Sequence, residues 1–177
     1  SNSSLAWRSF FSYSFICVIS QRTTRSQRFP PWETIDLLTM VLCDTPSGVV
    51  YSEATIKKIA AIMDKKQKEY GTEIYLIADE PYRELVYDGV TVPFLTKYYD
   101  NTIVGYSFSK SLSLPGERIG YLVIPDEVVD AGMLQSAASV ATRILGFVNA
   151  PTLMQRAVAR CLDAEVNVEA YDRNRRA

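Results

Sequence analysis

Tyr106-Ser107-Phe108-Ser109-Lys110-Ser111-Leu112-Ser113-Leu114-Pro115-Gly116-Glu117-Arg118-Ile119-Gly120-Tyr121 is the stretch whose reading decides the fold. A β-branched run, Thr102 to Tyr106, leads into it, and an apolar run, Ile119 to Ile124, leads out. Both have strand length and composition. Between them stand one lysine, several hydroxyls, a Pro-Gly turn and one arginine. An amine held at the end of a buried strand is poorly hydrated as an ammonium, which favours the neutral nucleophile. A neutral lysine attacks carbonyl carbon, the step that opens Schiff-base chemistry. Serine hydroxyls at 107 and 109 and the forked guanidinium of Arg118 are groups that gather around a phosphate. Read from spacing alone, the same residues also suit a solvated strand-turn-strand with an ordinary surface lysine.

Upstream, Ile74-Tyr75-Leu76-Ile77-Ala78-Asp79-Glu80-Pro81-Tyr82 is a continuous apolar run closed by carboxylates and a tyrosine. Such a run suits a parallel strand covered on both faces. The segment Ser107–Tyr121, SFSKSLSLPGERIGY, resembles the cofactor-lysine segment of the class I/II aminotransferases, the fold-type-I enzymes dependent on pyridoxal 5'-phosphate (PLP). IYLIADEPY resembles the same family's strand bearing the aspartate that pairs with the pyridine nitrogen. Two such segments in the family's order, 31 residues apart from Asp79 to Lys110, are far more specific than either alone.

The resemblance implies an α/β fold, part of the large PLP-binding domain, with a mostly parallel sheet and flanking helices. It implies that Lys110 is catalytic, bonding the cofactor aldehyde and shuttling the substrate α-proton. Asp79 then holds the ring nitrogen protonated, and Tyr82 bonds the ring oxygen. Ser107, Ser109 and Arg118 contact the phosphate. Asp79 and Lys110 are expected at the same end of adjacent or near-adjacent parallel strands, and Gly116 is expected to let the backbone turn tightly between lysine and arginine. The implied reaction moves an amino group between an amino acid and a 2-oxo acid, in a homodimer. The same residues also serve other fold-type-I enzymes such as a carbon-sulfur lyase, and a non-catalytic fragment is the remaining alternative.

The family's other site parts are not recognisable. No glycine- and hydroxyl-bearing phosphate loop occurs in residues 1–44, and the arginine that grips the substrate carboxylate would lie beyond Ala177. The expectation is therefore a shortened chain unable to turn over alone. By resemblance it divides into residues 1–44 without family likeness, 45–167 as part of the large domain, and 168–177 as the start of an interdomain helix.

Composition narrows the alternatives. With 177 residues, 47% of them apolar and 22% charged, the chain can form one globular core. A net charge of −1 gives no general attraction to nucleic acid or anionic membrane. There is no histidine, so acid–base work falls to Lys, Tyr or carboxylates. Cys17, Cys43 and Cys161 show neither disulfide nor zinc spacing, which points to a reducing, cytoplasmic setting. No apolar run approaches the roughly 20 residues of a membrane-spanning helix.

Residues 1–32 carry four arginines, eight serines and no acidic residue. That is a transit-peptide composition, but the apolar run from Phe10 to Ile19 lacks helical amphipathicity. A tag scar at Ser1-Asn2 followed by unrelated sequence fits as well. Ile35 to Leu42 then reads as a short strand entering a Cys43–Gly48 turn, where the family's asparagine position is taken by Thr45. Ser52 predicts a helix N-cap and Gly71 its C-cap, with Ile56, Ile59, Ala60 and Met63 on the apolar face. Lysines 57, 58, 65, 66 and 68 make its wet face. Asp126 predicts the cap of a helix through about Ile144. Pro151 is placed at the first turn of another, whose apolar stripe is Leu153, Met154, Ala157, Val158, Cys161 and Leu162.

Overall fold

The computed structural model describes residues 36–41, 43–44, 49–163 and 166–177. The Arg- and Ser-rich residues 1–32 and the turn residues Thr45, Pro46, Ser47 and Gly48 lie outside these. Four strands form one sheet: β1 (Asp36–Val41), β4 (Ile74–Asp79), β5 (Thr102–Ser107) and β6 (Gly120–Val123), in that spatial order. β1 and β5 both run parallel to β4, with Val41 and Gly105 each in register with Asp79. β6 returns antiparallel to β5, pairing Ser107 with Gly120. The sheet is therefore mostly parallel, as the sequence predicts. A small antiparallel pair, β2 (Cys43–Asp44) and β3 (Val49–Val50), flanks the expected 43–48 turn.

Helix α1 (Glu53–Tyr70) has the boundaries its caps dictate. Ser52 Oγ accepts from Thr55 N, and Gly71 closes the helix in the left-handed conformation at φ 66° while donating to Gln67 O. The chain then enters β4, whose alternate residues face opposite ways. Ile74, Leu76 and Ala78 pack with Ile56, Ala60 and Met63 of α1 and with Val92, Leu95 and Tyr99. Tyr75 and Ile77 turn to the other face, against Ile103, Leu122, Val128 and Leu134. Burial on both faces explains why the strand reads as unbroken apolar sequence.

Two helix starts differ from expectation. Helix α3 (Ala131–Ile144) begins five residues after Asp126, with Asp130 at its cap in the left-handed conformation. The reason is tertiary. Val128 is buried in the second cluster, Val129 N donates to Asn101 Oδ1, and Val129 O accepts from Tyr75. Those contacts hold residues 126–130 as a turn. Helix α4 (Thr152–Cys161) has Pro151 at its cap rather than inside it. Its apolar stripe divides in two: Met154, Val158 and Leu162 pack around Phe108 and Ile119, whereas Leu153, Ala157 and Cys161 are exposed. Helix α5 (Val168–Arg176) closes the described chain. Among the described residues no helix is long and apolar enough to cross a membrane.

Tyr99 gives the core a pH limit. Its hydroxyl is buried and donates to Ile74 O at 2.5 Å. Loss of hydration is the largest reason its pKa is pushed up to about 12, with Asp64 and Glu73 adding to it. A phenol of raised pKa contributes stability that is fully present below its unfolded value near 10 and is lost as pH rises toward 12. Urea-unfolding midpoints should therefore fall between about pH 10 and 12. Tyr99→Phe should cost about 1 kcal/mol at pH 7 and make that alkaline decline shallower. An unchanged slope would remove Tyr99 as a cause.

Candidate active site

The predicted site residues come from two neighbouring strand ends. Asp79 is the last residue of β4, in register with Gly105, and Ser107 ends β5 two residues further on. Ligand sites in open parallel sheets form at this end, where loops diverge from the strand tips. Immediately after β5 the chain makes one short helical turn, α2 (Phe108–Ser111), which carries Lys110. The half-buried Lys110 Nζ lies 5.2 Å from the centroid of the Tyr82 ring, within cation–π range. Tyr82 itself sits in the turn that follows Asp79, leaning on the first core cluster. The structure thus gathers Asp79, Tyr82, Ser107 and Lys110 at one end of adjacent parallel strands.

The two predicted hydroxyls meet each other. Ser107 caps α2 by accepting from Ser109 N, and their Oγ atoms are 2.7 Å apart. Arg118 arrives through the β5–β6 register, since Ser107 pairs with Gly120 and Phe108 N donates to Ile119 O at 3.1 Å. Its side chain is exposed and donates to Pro115 O at 3.0 Å. The expectation for Gly116 is corrected here. Gly116 sits inside a 3-10 turn (Pro115–Glu117), and the left-handed positions are the non-glycines Ser113 and Arg118, at φ 56° and 50°. The polypeptide therefore turns at each side of the Pro-Gly pair, at residues where a side chain makes that conformation costly.

Several partners of this site carry no signal in the quoted motifs. Tyr106 OH bonds both Glu84 Oε2 at 2.8 Å and Ser111 Oγ at 2.7 Å, joining the Tyr82 loop to the lysine turn. Burial is the largest cause that raises the Tyr106 pKa, so this phenol stays protonated and can donate. Tyr121 stacks on it at 5.0 Å, and Phe108 meets it edge-on. Tyr171 of α5 donates to Lys110 O at 3.0 Å and hydrogen-bonds Ser113 Oγ. Arg83 is bound to buried Glu80 through Nε at 2.6 Å and donates to Val92 O and Pro93 O, each at 2.8 Å. This arginine ties the turn carrying Tyr82 to the segment behind it. The i,i+3 spacing of Glu80 and Arg83 was the one local clue.

The donor set suits a phosphorylated pyridine aldehyde. It offers an amine beside an aromatic ring, a carboxylate at the neighbouring strand tip, two hydroxyls and a guanidinium on the adjoining turn. Comparison with known proteins agrees with this. The family model for aminotransferase class I and II matches residues 25–177. The match begins ahead of the segments quoted for the resemblance. The chain belongs to the class I and II aminotransferase family.

Among its relatives, a probable N-acetyl-LL-diaminopimelate aminotransferase of Bacillus subtilis is 39% identical over 83 residues, 47% of this chain and 20% of that protein. A (5-formylfuran-3-yl)methyl phosphate transaminase of Methanocaldococcus jannaschii is 27% identical over 153 residues, 81% of this chain and 39% of that protein. A solved aminotransferase from Eubacterium rectale superposes with a TM-score of 0.75 at 55% identity, covering 78% of this chain and 35% of that one. The fold is part of the fold-type-I aminotransferase architecture, and the chain spans well under half the length of these relatives.

Proposed function

We propose that the whole protein transfers an amino group between an amino acid and a 2-oxo acid with PLP as cofactor, and that this chain carries the cofactor half of its site. The observation that carries the reading is Lys110 Nζ beside the Tyr82 ring at the strand tips where Asp79 and Ser107 also end. Bound there, PLP would supply an electron sink for charge developed at the substrate α-carbon. Lys110 is the group to condense with the aldehyde and, once released, to carry the α-proton. Asp79 holds a proton on the ring nitrogen, and Tyr82 donates to the ring oxygen. Ser107, Ser109 and Arg118 hold the phosphate, Arg118 after leaving Pro115 O. Residues 45–167 are read as part of the large domain and 168–177 as the opening of the interdomain helix. The wide cysteine spacing supports a cytoplasmic setting.

The test is direct. Titrated with PLP, the purified chain should develop an absorbance band that borohydride bleaches, leaving the reduced adduct on Lys110. A chain that yields no reduced adduct on Lys110 at millimolar PLP would overturn the reading.

A homodimer is part of the same proposal. Its support is an apolar stripe on α3: Met133, Val140 and Ile144 are 64%, 55% and 78% exposed, with Phe147 and Leu153 following at 56% and 73%. Contiguous apolar surface of this kind drives association. Light scattering at tens of micromolar (about the range in which weak interfaces form) should give at least twice the chain mass. A monomer at that concentration would count against it.

A further inference from the structure

Gly105 stands in the middle of β5, where neither backbone nor packing requires a glycine. Its φ is not in the left-handed region, and a Cβ built on it meets only Ala78 O, at an ordinary 3.8 Å. Glycine weakens a strand interior, so a side chain at 105 would favour the strand. The remaining physical reason for a bare Cα in a strand is close approach by something else.

The sheet says what that something meets. Register partners on parallel strands share a face, and alternate residues of one strand return to it. Asp79, Gly105 and Ser107 therefore lie on one face, with Leu122 of β6 level with Gly105 on its other side, and Ile77 and Ile103 fill that face one step deeper. With strands about 4.8 Å apart and about 3.3 Å per residue, the diagonal from Asp79 to Ser107 is about 8 Å. That is the reach of a pyridine ring between its nitrogen and its phosphate ester. Gly105 lies between its ends, level with Asp79 and two residues before Ser107.

We propose that Gly105 is a cofactor-contact residue: the pyridine ring lies against its bare Cα, between the carboxylate of Asp79 and the hydroxyl of Ser107. This rests on the PLP reading above. It adds a steric element to the six polar groups of that reading, because a side chain at 105 occupies the ring's place while leaving every one of them intact.

Gly105→Ala and Gly105→Val test it in the same chain. Two measurements are made: thermal unfolding without ligand, and the amount of borohydride-reduced pyridoxyl adduct on Lys110, read by peptide mass after incubation with PLP. Both variants should melt at or above the parent temperature, since a Cβ at 105 meets only Ala78 O at 3.8 Å and any side chain favours a strand over glycine. Adduct yield at fixed PLP should fall at least about tenfold for valine, the smaller end of what overpacking a filled site costs, and less for alanine. A valine variant labelled like the parent overturns the inference and leaves the PLP reading standing. A valine variant that melts well below the parent also overturns it, because the glycine then serves the strand. If the parent itself takes no label on Lys110, the PLP reading fails and this one falls with it.

Discussion

Lys110→Ala is expected to abolish the borohydride-trapped PLP adduct, while Lys57→Ala and Lys66→Ala leave its yield unchanged. Any lysine condenses with an aldehyde to some extent, so the contrast between lysines carries the information. Lys57 and Lys66 are on the solvated face of α1, paired with Glu53 at 2.6 Å and Glu69 at 2.8 Å. Those carboxylates raise both lysine pKa values, chiefly through hydrogen bonds to the ammonium, which keeps the reactive neutral amine scarce at pH 8. Lys110 has an aromatic ring beside its Nζ and two hydroxyls in its own turn. Groups that hold an aldehyde next to an amine raise its effective concentration by orders of magnitude. Peptide mapping should place the label on Lys110 and show its loss in Lys110→Ala. A label spread evenly over the surface lysines, or retained in Lys110→Ala, would remove Lys110 from its assigned role.

Arg83→Ala should be the costliest single substitution near the site. Glu80 is 3% exposed, and its carboxylate takes the Arg83 Nε at 2.6 Å. The same guanidinium satisfies Val92 O and Pro93 O and lies 3.8 Å from the Phe94 ring centroid. Truncating it leaves a buried carboxylate and two carbonyls without their donor. Breaking a buried pair from one side typically costs about 3–5 kcal/mol. Urea midpoints converted with the parent slope should show a loss of that order. The double variant Glu80→Leu/Arg83→Met should lose less than Arg83→Ala, because no unpaired charge stays inside. A single variant within about 1 kcal/mol of the parent, the range of exposed pairs, would show that the pair is effectively solvated.

What the sequence disclosed and what it withheld have separate physical causes. Helix α1 was legible to the residue because both its ends are set locally, by the Ser52 hydroxyl and by the left-handed Gly71. The strand carrying Asp79 was legible because burial on both faces leaves an unbroken apolar run. Lys110 and Asp79 could be expected at one end of the sheet because parallel strands share a polarity. The start of α3 was not legible. Asp126 has the right chemistry for a cap, but Val128 and Val129 are claimed by the sheet face, Asn101 and Tyr75. The stripe on α4 was read as one face, yet only every fourth residue reaches the core under the lysine turn. Tyr171 escaped notice because its partner Lys110 is 61 positions away, and no periodicity spans that distance.

The clamp made by Tyr171 has a consequence for how this protein can vary over time. Ser113 holds a left-handed backbone that a serine resists, and the Tyr171 phenol bridges its hydroxyl to the carbonyl of Lys110. The two positions are therefore not independent: a change at one alters what is tolerated at the other. Glycine at 113 adopts that conformation without strain and releases position 171 from its duty. Losing the phenol first, with serine still in place, leaves the turn beside the lysine strained and unheld. Descendants of this chain should thus reach a different residue at 171 by way of glycine or asparagine at 113, and seldom in the opposite order.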